Sequence, residues 1–69
     1  MHEGQYEHYI EQLGTLRDRL RQLEDVDYMT AYYKGYSASG MTLEEIRRAI
    51  IELTEEMSEL ESRMEETLW

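Results

Sequence analysis

The chain has 69 residues, with 16 acidic against 7 basic side chains, a formal net charge of −9, and no cysteine or proline. A chain of this length buries only about 60% of the surface that its unfolded state exposes, so we expect one small domain with a thin core. Without disulfides or a metal cluster, helix packing and self-association are the remaining sources of stability. The negative charge repels nucleic-acid phosphates and disfavours direct binding of DNA or RNA.

The composition also bears on the compartment. The chain lacks the disulfide framework that would suggest a secreted protein. Its N-terminus also lacks the basic and then apolar run of a signal peptide. The longest strictly apolar run is Ala49-Ile50-Ile51, whereas a helix that spans a bilayer needs about 20 apolar residues. We therefore expect no membrane span and a cytoplasmic or virion-associated protein.

A first helix is predicted by apolar residues that recur at alternating spacings of three and four. Gly14 lies inside this pattern and costs about 1 kcal/mol relative to alanine in a helix. The pattern consists of Tyr6, Tyr9, Leu13, Leu16, Leu20 and Leu23. It predicts a helix from about residue 4 that packs along a neighbouring helix.

A second helix is predicted by the same spacing nearer the C-terminus. Its apolar positions are Leu43, Ile46, Ile50, Leu53, Met57, Leu60 and Met64, with Leu68 in the last turn. Thr42 followed by Glu45 is the signature of a capping box, in which each residue's side chain accepts a hydrogen bond from the other's backbone amide. We expect this helix over about residues 42–68, a length of about 39 Å.

The heptad pattern lapses in the segment between the two helices, at Asp27 and Thr30. We favour an interpretation in which the first helix continues to about residue 34 on a shifted stripe of Val26, Met29 and Tyr33. Gly35 would then cap its C-terminus, with a loop over about residues 35–41. The fold class is accordingly all-α: an antiparallel, coiled-coil-like two-helix hairpin that forms one domain over residues 1–69.

An alternative interpretation places a short β-hairpin between the two helices. Residues 29–33 and 36–39 would pair around a two-residue turn at Lys34 and Gly35. Glycine in such a turn supports this interpretation, although Asn or Asp before it would be a stronger signal. The alternative fold is helix, short β-hairpin, helix.

Charged residues occur in blocks whose order differs between the two predicted helices. The first helix is acidic at its start (Glu3, Glu7, Glu11), then basic (Arg17, Arg19, Arg21), then acidic again (Glu24, Asp25, Asp27). The second helix begins basic (Arg47, Arg48) and continues acidic (Glu52, Glu55, Glu56, Glu59, Glu61). Antiparallel packing places unlike blocks side by side, although each exposed pair is worth only about 0–1 kcal/mol. At the open end Glu3, Glu7 and Glu11 would face Glu65 and Glu66, and this acidic cluster is left as a candidate docking patch for a basic partner, or as part of a solvated surface.

Residues that could carry out catalysis are scarce in this sequence. His2 and His8 are the only histidines, and neither has a glutamate three residues before it, as a di-metal helical bundle would require. No glycine-rich phosphate loop is present, and two helices do not enclose an active-site pocket. We therefore expect neither an enzyme nor a cofactor or metal site.

Two groups of side chains are candidates for protein interaction. Tyr28, Tyr32, Tyr33 and Tyr36 lie within nine residues at the predicted bend; they either close the end of the core or bind a partner, since tyrosine is common in binding hot spots. Ile10 and Ile51, with Ala49 and Val26, widen the apolar stripes beyond what one helix pair covers. A second hairpin would cover them, which predicts oligomerisation into a helical bundle.

The order of these elements resembles the short phage head-tail joining proteins of the W family. The resemblance covers roughly residues 10–55 and includes the tyrosine-rich Lys-Gly segment and the helix that opens Thr42-Leu43-Glu44-Glu45-Ile46-Arg47-Arg48-Ala49-Ile50-Ile51-Glu52-Leu53. It implies a helix, a β-hairpin and a second helix that join a ring beneath the portal, with Tyr28 to Ser39 as ring contacts. The present chain is more acidic, and its second helix is longer than the family pattern.

These observations lead to two hypotheses of function. The first is a non-catalytic assembly or adaptor protein, such as a small phage structural protein, that binds copies of itself as a homodimer or higher oligomer and at least one other protein. The second is a small acidic inhibitor that blocks a target protein, such as one that binds nucleic acid.

Overall fold

The structure is a computed structural model that describes residues 2–68, with side chains from residue 4 to residue 66. The first helix consists of α1 (His2–Arg21), a π-helical segment (Gln22–Asp27) and α2 (Tyr28–Lys34), and the second is α3 (Leu43–Leu68). No strand occurs among residues 2–68, so the all-α prediction is confirmed and the β-hairpin alternative is wrong. Predictions on the side chains of His2, Glu3 and Leu68 concern atoms outside the described ones.

The two helices run antiparallel and pack along their length. At the bend, Arg47 of α3 donates a hydrogen bond of 3.2 Å to the hydroxyl of Tyr28 in α2. Towards the other end, Leu16 of α1 and Leu60 of α3 line the same groove. The resulting helix pair measures 48 × 15 × 14 Å, so nearly every residue is close to solvent and the core is a single narrow strip.

The core lies between the two apolar stripes that the sequence predicts. Ile46 is fully buried, and Leu23 is 2% exposed. The other buried apolar residues are Leu13, Ala31, Leu53 and Leu60. All except Ala31 occupy predicted heptad positions, because an apolar residue every three or four positions returns to the same helix face.

The π-helical segment corrects the predicted path of the stripe after Leu23. The backbone amide of Tyr28 donates to the carbonyl of Leu23, five residues back, so the helix contains one residue more than an α-helix would. The core therefore continues at Tyr28, which is half-buried, and at Ala31, which is 3% exposed. The predicted stripe of Val26, Met29 and Tyr33 is wrong, since these side chains are 49%, 47% and 76% exposed.

Both predicted helix caps next to the loop are confirmed. Gly35 has a left-handed backbone (φ 95°), and its amide donates to the carbonyl of Ala31, as expected for a glycine that ends a helix. At the start of α3, the amide of Thr42 donates to a carboxylate oxygen of Glu45 over 2.9 Å, and the amide of Glu45 donates to the hydroxyl of Thr42 over 3.2 Å.

The loop between the helices is held by Ser37, which is only 1% exposed. Its amide donates to the carbonyl of Met41 over 2.8 Å, and its hydroxyl accepts from the amide of Met41 over 3.1 Å. The amide of Gly40 donates back to the carbonyl of Ser37. Since these bonds pair the backbone donors and acceptors of the turn, the loop fixes where α3 begins relative to the end of α2.

Loss of the capping box gives a first prediction. Thr42→Ala removes an acceptor for a free helix-end amide and is expected to lower the free energy of unfolding by about 1 kcal/mol, measured by urea denaturation.

The hydrogen bonds from the Thr42 amide and hydroxyl hold the pKa of Glu45 below its ordinary 4.5. This carboxylate therefore stabilises the fold above pH 4.5 and loses its contribution as the pH falls through the lowered pKa.

The matched control is Thr15→Ala in the middle of α1. Thr15 is exposed, and its hydroxyl donates only to the carbonyl of Glu11, four residues back in the same helix. The change should leave stability within about 0.5 kcal/mol. Equal losses in the two variants would contradict a specific role for the capping box.

Candidate protein-interaction surfaces

Large apolar side chains remain exposed along the whole helix pair. Ile51 is 59% exposed and Ile10 47%. The full set of exposed large apolar residues is Ile10, Val26, Met29, Tyr32, Tyr33, Tyr36 and Ile51. In a chain with so small a core, these residues are the candidates for contacts with another protein.

The four tyrosines at the bend divide into two environments. Tyr28 is half-buried against the core, and Arg47 lies over its ring at 5.9 Å from the centroid. Tyr32, Tyr33 and Tyr36 are 64%, 76% and 59% exposed. Tyr32 and Tyr33 contact each other edge to face at 5.2 Å. One tyrosine thus closes the core, and three present rings and hydroxyls to solvent.

One side of the helix pair carries a groove of about 370 Å³. Leu16 and Leu60 form its floor, and its other lining residues are Gln12, Thr15, Glu56, Glu59 and Arg63. Each of these five residues directly precedes a heptad core position in the sequence. Neighbouring residues of a helix are about 100° apart around its axis, so residues that precede core positions share one side of the pair. We call this the groove side.

The opposite side carries residues that directly follow core positions. The two helices run in opposite directions and turn their core faces towards each other. As a result, residues that directly follow core positions lie on the same side of the pair in both helices. The followers include Ile10 after Tyr9, Ile51 after Ile50, Met29 after Tyr28 and Tyr32 after Ala31. We call these four exposed residues the isoleucine face.

Ala49 does not share this face, contrary to the prediction that grouped it with Ile10 and Ile51. It is half-buried and packs against the core. It also lines a second depression together with Glu45 and Glu52, which precede core positions. Residues two apart in a helix point in nearly opposite directions, so Ala49 lies on the groove side and Ile51 on the other.

Among the side chains of residues 4–66, the basic block of α1 closes no ion pair with the acidic residues of α3. In the part of the chain that the structure describes, Arg17, Arg19 and Arg21 make no contact within 4 Å with a carboxylate. Glu65 and Glu66 at the open end are exposed. Arg17, Arg19 and Arg21 and the acidic block of α3 that follows Arg48 are therefore available to another molecule, whereas Glu45 is engaged in the capping box.

Catalytic groupings are sparse on this surface. Among the described residues, no three His, Cys, Asp or Glu side chains come together as a metal site would need. His8 lies beside the ring of Tyr9, 6.5 Å between centroids. The grooves hold charged groups in open, solvated positions rather than in a dry pocket, so the arrangement is suited to recognition of a surface.

Comparison with known proteins finds no relative on which a function could be based. The chain matches no protein-family model, no curated protein and no solved structure. Between residues 2 and 68, no helix has both the length and the apolar character needed to cross a membrane.

Sequence reasoning placed Ile10 and Ile51 beside the core but missed that Met29 and Tyr32 lie on the same side. The reason is the π-helical segment, which adds one residue before Tyr28. The available signal was a spacing of five from Leu23 to Tyr28 followed by three to Ala31, the pattern of one inserted residue in a helix.

Proposed function

We propose that this protein is a non-catalytic assembly module that binds copies of itself and at least one other protein. The observation that carries the proposal is its excess surface. The chain exposes 5521 Å², whereas a compact monomer of 8.3 kDa exposes about 4,600 Å². The excess is close to the roughly 800 Å² that each partner buries in a typical specific interface.

The exposed tyrosines support a second, different partner. Tyr33 and Tyr36 lie at the bend, away from the core, and are more than half exposed. Tyrosine offers a large contact area at low cost in side-chain entropy. A role in phage head-tail joining would be one form of such assembly, with the segment from Tyr28 to Ser39 as the ring contact.

The alternative function is a small acidic inhibitor of another protein. It is favoured by the exposed Glu65 and Glu66 and by the net charge of −9, which would complement a basic surface such as a nucleic-acid-binding site. Binding of this kind weakens steeply as salt screens the charges, whereas association through apolar faces does not.

The particle mass distinguishes these functions. Light scattering on a size-exclusion column, over about a hundredfold range of protein concentration, reports association by mass action. We expect a particle mass of at least twice 8.3 kDa, and we expect this mass to persist in high salt. A helical monomer at every concentration would contradict self-assembly and would favour the inhibitor.

A further inference from the structure

The exposed apolar residues are distributed unequally between the two sides of the helix pair. The isoleucine face carries Ile10, Met29, Tyr32 and Ile51, each at least 47% exposed. No residue that precedes a core position among residues 4–66 is an exposed large apolar residue. The exposed apolar residues that directly flank the core are therefore concentrated on the isoleucine face, which is the side suited to a second apolar surface.

We infer that a second copy of the chain packs antiparallel on the isoleucine face and forms a four-helix bundle. This inference rests on the self-association proposed above and adds which face is used and in which orientation. It leaves the groove side and the tips of Tyr33 and Tyr36 free for another protein.

The positions of the isoleucines along the 48 Å length favour this orientation. At 1.5 Å per residue, Ile10 lies about 38 Å from the loop and Ile51 about 14 Å. Their midpoint, about 26 Å, is near the middle of the molecule. A twofold axis at this midpoint places Ile10 of each protomer at the same level as Ile51 of its partner. The two hairpins then overlap along their full length.

The charges favour the same orientation. Glu7, Glu61 and Glu65 follow core positions at the open end, whereas at the bend Arg47 follows one and Glu44 another, so the open end carries the larger negative charge. The bend region from residue 28 to residue 48 holds three basic and two acidic residues, but residues 61–68 and 2–11 hold six acidic residues and one arginine. An antiparallel dimer places each acidic end beside the partner's bend, whereas a parallel dimer places the two acidic ends together, which is repulsive.

The orientation is tested by a distance between spin labels. The chain contains no cysteine, so Ala38→Cys in the exposed loop gives one label per protomer. In the full-length dimer, pulsed electron resonance should give a distance close to the molecular length of 48 Å. A parallel dimer would give about 20 Å or less, since helix axes in a bundle are about 8–10 Å apart.

The face is tested by two variants that each add one negative charge. Ile51→Glu alters the isoleucine face, and Gln12→Glu alters the groove side, where the residue is exposed. We expect the first to raise the dimer dissociation constant at least tenfold and the second to change it less than twofold. Circular dichroism at high concentration checks that both variants remain helical.

The outcomes separate this inference from the proposed function. An oligomer with a short label distance, or one that Ile51→Glu leaves unchanged, would overturn the antiparallel dimer and leave self-assembly standing. A protein that is monomeric at every concentration would overturn both. Binding of an unrelated protein to the isoleucine face, with no self-association, would likewise overturn the inference.

Discussion

Ile46→Ala is expected to remove about 3 kcal/mol of stability, a large part of the total. Ile46 is fully buried at the centre of the core, with Leu23, Ala31 and Leu53 in the same cluster. Truncation of such a side chain costs its burial and leaves a cavity, typically 2–5 kcal/mol. A chain of this size is stable by only roughly 3–10 kcal/mol, so a substantial unfolded fraction should appear.

Urea denaturation followed by helical circular dichroism measures this loss, and Ile51→Ala serves as the control. Ile51 differs from Ile46 mainly in being 59% exposed. Its loss of stability should be small in dilute protein and should grow with concentration, because it reflects association. The loss from Ile46→Ala should be present at every concentration. Equal, concentration-independent losses would contradict the assignment of the core.

Deletion of one residue is expected to change stability little in the first helix and to lower it strongly in the second. Val26 lies in the π-helical segment and is 49% exposed. Its deletion shortens the spacing from Leu23 to the hydrogen-bonded Tyr28 from five positions to four, the α-helical spacing. Tyr28 and Ala31 then stay on the core side, so the free energy of unfolding should remain within about 1 kcal/mol of the parent.

Deletion of Glu55 is the matched change in α3. Glu55 is also exposed, but α3 is α-helical from Leu43 to Leu68, so no extra residue is available to absorb the loss. Everything after the deletion rotates by about 100°, and Leu60 leaves the core. We expect a loss of at least about 2 kcal/mol, measured by the same denaturation. If the Val26 deletion were as costly, the π-helical segment would not be an accommodated insertion.

Much of the fold follows from local patterns in the sequence. The stripe from Tyr6 to Leu23 and the stripe from Leu43 to Met64 give the two helices, because apolar residues on one face must be buried against a neighbour. Gly35 and the pair of Thr42 and Glu45 mark helix ends through their own backbone chemistry. These signals need no knowledge of distant residues.

The candidate surface could be predicted only in part. Ile10 and Ile51 stand beside the stripes in the sequence, and both are exposed. Whether a tyrosine at the bend closes the core or faces solvent depends on where the first helix inserts its extra residue. The sequence shows that Asp27 and Thr30 break the heptad. It does not show which residues after the break resume contact with α3.

Three features follow from local sequence patterns: the chain is helical, its helices end at identifiable residues near the loop, and its core is too thin to cover all its apolar residues. Each of these depends on spacing or on a residue's own conformational preference. Two further features emerge only when the helices pack: Tyr28 and Ala31 enter the core through a π-helical segment, and Ala49 and Ile51 lie on different sides of the pair. Those outcomes depend on the register in which two helices meet, which is a property of the contact between them.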